Sequence, residues 1–93
     1  PHHGISDVLD GVVVMQSFPN PNTGQYENYY GVAKFMPGAA PPYVYKIHYT
    51  DGDEETMRFG DVKNNRVALD DVPIAQLSGL LTRGAKHTPL HPN

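Results

Sequence analysis

The sequence predicts a small, mainly β fold of short, strongly bent strands, followed by one C-terminal helix. Residues 43–49 alternate as a strand does and run directly into Asp51-Gly52, a common hairpin signal. Nine prolines and nine glycines among 93 residues suit short strands joined by many turns better than long helices. Residues 73–83 instead repeat apolar side chains at helical spacing.

Taken in order, Ile5, Val8 and Leu9 have the spacing of one helical turn, which Ser6 could cap. After Gly11, the β-branched run Val12-Val13-Val14-Met15 is too short for a helix and reads as a first strand, with Phe18 just beyond its end. Pro19-Asn20-Pro21-Asn22-Thr23-Gly24 interrupts helix and ladder alike. The second strand runs from about Tyr26 or Asn28 to Phe35. Tyr29, Gly31, Ala33 and Phe35 share one face, and Tyr30, Val32, Lys34 and Met36 the other. Gly31 inside it marks a bend or a close backbone approach. The stiff connector Pro37–Pro42 leads to the third strand, where Tyr43, Tyr45, Ile47 and Tyr49 oppose Val44, Lys46 and His48.

Asp51-Gly52 is expected to form a two-residue type I′ turn, after which Met57 and Phe59, two apart, read as a fourth strand with Thr56 and Arg58 on its other side. Gly60-Asp61 and Asn64-Asn65 read as turns, leaving Val62 and the pair Val67 and Leu69 as short closing strands. Asp70 or Asp71 can cap a helix from Pro73 to Arg83, with the apolar stripe Ile74, Leu77, Leu80 and Leu81 and a stop at Gly84. The expected division is an entry turn or tail over 1–7, a β-rich body over 8–72, the helix over 73–84 and a mobile tail over 85–93.

The absence of cysteine excludes a disulfide framework and a thiolate zinc site, and fits a reducing compartment. No run of about eighteen apolar residues is present to span a bilayer and no leader pattern opens the chain, so a soluble intracellular protein is expected. Formal charge is −3, from ten acids and seven bases. Four of the acids, Asp51, Asp53, Glu54 and Glu55, crowd the turn beside Tyr49, and without them the bases would be in slight excess. Such a patch repels phosphate backbones and favours a cationic partner.

Two stretches, Tyr29-Tyr30-Gly31-Val32-Ala33 and Tyr45-Lys46-Ile47-His48-Tyr49-Thr50-Asp51-Gly52-Asp53, in this order between a short apolar strand and an acidic-to-apolar strand, resemble a Tudor domain of the Royal family. The resemblance covers roughly residues 8–69 and implies a strongly bent, five-stranded SH3-like barrel with an aromatic cage at one open end; the C-terminal helix lies outside it. By position, Tyr49 corresponds to the strand-end aromatic of the cage, Asp51 to the turn acid and Tyr29 to the second-strand aromatic. Asp53 stands where many relatives carry another aromatic or an amide. Relatives often place Trp just after the first apolar run; here Gln16 falls closest by count and Phe18 is the nearby ring. The resemblance thus implies a two- or three-ring site with extra carboxylates, nuclear location, and methyl-lysine or methyl-arginine on a histone or Arg-rich tail as ligand.

The chemistry matches that expectation. Ring faces attract a methylated ammonium through their quadrupoles, and a carboxylate adds Coulomb attraction and accepts hydrogen bonds from a guanidinium or a less methylated lysine. The candidate peptide-binding residues are Phe18, Tyr29, Tyr30, Tyr49, Asp51 and Asp53, with no cofactor. Tyr45 and Ile47 read most simply as core, and of the adjacent Tyr29 and Tyr30 one must face inward. His2, His3, His48, His87 and His91 lack metal-site spacing, and Ser17 and Ser78 lack a histidine partner, so no catalysis is expected. Two other readings remain open: a structural interaction or oligomerisation domain using Ile74, Leu77, Leu80 and Leu81, and a nucleic-acid-binding barrel, against which the scattered bases and negative charge argue.

Overall fold

The computed structural model describes residues 7–86. The chain forms β1 (Val13–Pro19), β2 (Tyr26–Phe35), β3 (Tyr45–Tyr49), β4 (Glu54–Met57), α1 (Phe59–Asn65), β5 (Arg66–Val67), a 3₁₀ turn (Leu69–Asp71) and α2 (Ile74–Thr82). The strands make one antiparallel sheet in the order β4-β3-β2-β1-β5. Among the described residues no ladder joins β4 to β5, so the sheet is open at both edges.

Both faces of the sheet are covered at β1 and β2, where Val13 and Val32 face one side and Val14 and Ala33 the other. On β3 the core side is Tyr45, Ile47 and Tyr49, and Lys46 and His48 lie on the outside. On one face Val14, Ala33, Tyr45, Ile47, Tyr49 and Met57 pack with Leu9, Val12, Val44 and Val62. On the other, Val13 and Val32 pack with Val72 and Leu80, flanked by Tyr30, Val67, Leu69 and Leu77. The Leu9 amide donates to the Tyr45 hydroxyl at 3.2 Å, so the one phenol fully inside the core has a partner.

Strand β1 continues four residues past Met15, because Ser17, Phe18 and Pro19 pair with Asn28, Glu27 and Tyr26. Phe18 therefore belongs to the sheet and is held in register. The chain reverses through an Asn20 turn, in which the Asn20 side-chain oxygen accepts from the Asn22 amide at 2.7 Å.

The β3–β4 connection is not a type I′ turn. Only Gly52 has positive φ, at 97°, while Asp51 does not. The Gly52 amide donates to Tyr49 O at 3.0 Å and the Tyr49 amide to Asp53 O at 2.9 Å, the pattern of a three-residue loop ending in a glycine bulge. Beyond Met57 the predicted strand through Phe59 and the closing strand at Val62 are replaced by α1. Phe59 and Val62 are three apart on one helical face, and both reach the core under β3. The two-residue spacing of Met57 and Phe59 imitates a strand whose ladder has already ended at Met57.

Helix α2 starts after Pro73 with no side-chain cap; Asp70 and Asp71 lie in the preceding 3₁₀ turn. It ends as expected at Gly84, φ 96°, where the Ala85 amide reaches Leu80 O and the Gly84 amide reaches Leu81 O, a Schellman arrangement. The predicted apolar stripe is split: Leu80 is buried and Leu77 packs beside it, but Ile74 and Leu81 are 85% and 55% exposed. The face turned to the sheet is Gln76, Gly79, Leu80 and Arg83.

The two ends of the described chain are tied together. Asp10 accepts from the Phe35 amide at 2.7 Å and lies 4.0 and 3.5 Å from the ammonium groups of Lys34 and Lys86. Burial raises the Asp10 pKa, but this amide and these two cations outweigh it and hold the carboxyl below its ordinary value. The Lys86 amide donates to Gly11 O at 2.9 Å. Ile5, Ser6 and the tail from His87 onward lie outside the described residues.

Gly31 is the tightest point in the sheet. A Cβ there would lie 2.7 Å from Ile47 Cγ2 and 3.0 Å from both His48 O and Tyr49 Cδ1. Gly31→Ala is expected to cost about 1–3 kcal/mol of stability, the usual range for overpacking, read as a lower urea midpoint at unchanged slope.

Candidate functional site

The face that carries the main core continues past it toward one end of the sheet. Cross-strand register puts Gln16 and Phe18 of β1, Tyr29 of β2, Tyr49 of β3 and Glu55 of β4 on that same face. Beyond Gly31 the packing opens, and a cavity of about 490 Å³ lies between two loops. Its base is Phe18, Tyr29 and Tyr49. One wall is Pro19, Asn20, Pro21 and Asn22 from the β1–β2 loop, and the other is Asp51, Asp53, Glu54 and Glu55 from the β3–β4 hairpin.

The three rings meet through Phe18. Its centroid is 5.7 Å from Tyr29 at an interplanar angle of 56°, and 6.2 Å from Tyr49 at 81°. They form a corner. Phe18 is 39% exposed, whereas Tyr49 is only 4% exposed, so the rings open to solvent are Phe18 and half-buried Tyr29, with Tyr49 behind them. The Tyr49 hydroxyl donates to Glu55 Oε1 and interacts with the Gln16 side chain. Tyr49 is thereby fixed as the support of the corner.

The acidic wall is unevenly neutralised. Glu54 lies 3.6 Å from Lys46 and 3.1 Å from His48 Nδ1. Glu55 is engaged by Tyr49. Asp51 accepts only the Asp53 amide, at 3.0 Å, and neither aspartate has an ion-pair partner among the described residues. Among the described residues no basic side chain lines the cavity. Glu27 adds a further carboxylate just outside it, held by Asn20 at 3.1 Å and approached by the Tyr29 hydroxyl at 3.5 Å.

Of the six sequence-derived candidates, Phe18, Tyr29, Tyr49, Asp51 and Asp53 come together here. Tyr30 does not: it faces the opposite side of the sheet and packs with the cluster of Val32, Val72 and Leu80 under α2. Strand alternation requires this once Tyr29 faces the cavity. Gln16 falls by count at the first-strand cage position, as the resemblance implies, but its contact with the Tyr49 hydroxyl, that of Glu55, and the wall of Pro19, Asn20, Pro21 and Asn22 are not expected from the sequence. The loop wall has no signal beyond its turn chemistry. Among the described residues no group of acids and histidines is arranged to hold a metal ion, and no helix is long and apolar enough to cross a membrane.

Burial first, then the bond to Glu55 and the charges of Glu55 and Asp51, push the Tyr49 phenol far above its ordinary value of 10.0. Tyr29 is raised by partial burial and then by Glu27, Asp51 and Asp53. An unfolded chain releases the Tyr49 proton near pH 10 while the folded one keeps it. The associated stability is complete below that pH and is lost as pH rises toward the folded value. Denaturant unfolding between pH 8 and 11 should therefore show falling stability above pH 10, and Tyr49→Phe should remove about 1.4 kcal/mol per pH unit of that slope.

No family model, curated protein or solved structure matches this chain.

Proposed function

We propose that this chain is a non-catalytic binding module, Tudor-like in its bent five-stranded sheet, that takes a cationic side chain of a peptide into the cavity beside Phe18, Tyr29, Asp51 and Asp53. One observation carries the reading: two accessible rings set at an angle share a cavity with two aspartates, and among the described residues no basic side chain lines it and neither aspartate has an ion-pair partner. Rings attract a cation at roughly 0.5–2 kcal/mol per contact, and nearby carboxylates at an exposed rim add a few tenths to about 1 kcal/mol each. The strand order and the Tyr-x-Gly-x-Ala and Tyr-x-Ile-x-Tyr-x-Asp-Gly-Asp stretches support the Tudor-like reading, and with it methyl-lysine or methyl-arginine on a histone or Arg-rich tail and a nuclear location.

With Tyr49 withdrawn behind Phe18, the site has two working ring faces. Affinity is then micromolar or weaker and falls with salt. Carboxylates on one side only suit ligands that keep hydrogen-bond donors, a methylated guanidinium or a lower methyl-lysine, over a trimethylated ammonium. A negative cavity disfavours nucleic acid. The interaction-domain reading keeps only Ile74 and Leu81 of the α2 stripe as exposed apolar contacts, since Leu77 and Leu80 pack on the sheet.

Calorimetry or chemical-shift titration with methylated and unmethylated tail peptides tests this. Shifts should centre on Phe18, Tyr29 and Gly52. Tyr29→Ala and Asp51→Asn should each weaken binding by about tenfold, about 1.4 kcal/mol, while Tyr26→Ala, at a ring 74% exposed outside the cavity, should not. Equal affinity for unmethylated peptide would remove the methyl-reader claim, and absence of any binding would remove the cationic-peptide claim.

A further inference from the structure

Thr50 is the last residue before the acidic turn, and every part of it is engaged from outside the hairpin. Its amide donates to Tyr30 O on β2 at 3.0 Å. Its hydroxyl donates to Gln76 Oε1 at 2.6 Å, and its carbonyl accepts from Arg83 Nη2 at 3.3 Å. Arg83 Nη1 is anchored in turn on Gly79 O at 3.0 Å. A Cβ at Gly79 would lie 3.3 Å from Thr50 Cγ2, so the threonine methyl sits against the helix backbone at its one glycine. Gln76, Gly79, Leu80 and Arg83 follow i, i+3, i+4, i+7 spacing. They form a single docking face that sets a buried leucine next to three contacts with one residue of the hairpin.

By contrast, the turn has few ties of its own. Asp51, Gly52 and Asp53 are exposed and held by three local hydrogen bonds, between Tyr49 and Gly52, Tyr49 and Asp53, and Asp51 and Asp53. Helix α2 lies on the face of the sheet opposite the cavity, yet its polar residues end one position before the aspartate that lines it.

We propose that α2 is the positioning element of the binding site: Gln76 and Arg83, acting through Thr50, hold the Asp51–Asp53 turn at a fixed place relative to Phe18 and Tyr29. This rests on the cation-binding reading of the cavity and goes beyond it in assigning the site a control point on the other face of the sheet. A carboxylate already held in position loses less freedom when the ligand arrives, so docking of α2 raises affinity without touching the ligand. An undocked helix leaves rings and acids present but unaligned.

Four single variants of the full chain test this. Gln76→Leu and Thr50→Val remove the hydroxyl contact from either side. Gln76→Glu keeps an acceptor for the Thr50 hydroxyl, and Arg83→Met keeps the aliphatic stem without the donors. Amide hydrogen exchange in the free protein reads the turn without any ligand. Gly52 and Asp53 should exchange faster in Gln76→Leu, Thr50→Val and Arg83→Met, and as in wild type in Gln76→Glu, while Ile47 in the centre of β3 stays protected in all of them. Titration with the methylated tail peptide should show a loss of about threefold to tenfold in the first three, the size expected from freeing one or two groups at a site, and none in Gln76→Glu. Unchanged turn exchange in Gln76→Leu and Arg83→Met overturns the proposal, as does faster exchange with undiminished affinity. If wild type binds no cationic peptide, the binding reading falls and the exchange data alone decide whether α2 positions the turn. If a variant exchanges globally, Arg83→Met, which keeps the aliphatic stem, decides the comparison in its place.

Discussion

The close approach of Tyr49 to Gly31 governs the rest of the molecule. Strand β3 crosses β2 where no side chain separates them, with Tyr49 Cδ1 and Ile47 Cγ2 resting on the glycine. This allows the Tyr49 ring to sink into the sheet and still send its hydroxyl across to Glu55. With Tyr49 withdrawn, Phe18 can meet its ring nearly edge-on and bring Tyr29 alongside. The end of the core and the base of the cavity are therefore one continuous packing, and the cavity begins where the supply of side chains to fill it runs out.

Charge at the cavity is sorted by strand alternation. On β4, Glu55 points to the aromatic face and Glu54 to the outer one, where Lys46 and His48 from β3 meet it. The cations of this hairpin lie on the outside and its turn aspartates remain beside the rings. Net charge alone would suggest a diffuse acidic surface, but the register separates a neutralised outer face from an uncompensated inner one.

The parts legible in the sequence were those set by local period. Strand β2 alternates as expected, as does β3 from Tyr45 to Tyr49, and the glycine stop of α2 holds. Tyr43, expected on the inner face, precedes β3 and is exposed, while Val44, expected on the other face, packs in the core with Tyr45. What escaped depended on contacts between distant segments. Gln-Ser-Phe-Pro has weak strand preference by itself and is extended in β1 only because Tyr26, Glu27 and Asn28 pair with it. Met57 and Phe59 have strand spacing, but the ladder ends between them and Phe59 turns with Val62 into the core as a helix. Apolar spacing alone predicts one buried stripe on α2, but Gln76 and Arg83 are tied to Thr50 and Ile74 and Leu81 face outward. For the site, five of the six candidates carried over from the family resemblance line one cavity, while the wall formed by residues 19–22 depends on how the two loops face each other.

The clamp joining Asp10, Lys34 and Lys86, with the backbone bond from Lys86 to Gly11, brings the first and last described segments side by side at the Phe35 end of β2. Tyr29 lies six residues away along that strand, a separation on the order of 20 Å at the usual rise of an extended chain. The junction of the first and last described segments therefore lies at the pole of the sheet remote from the cavity, so the clamp secures the fold without touching the rings or the turn.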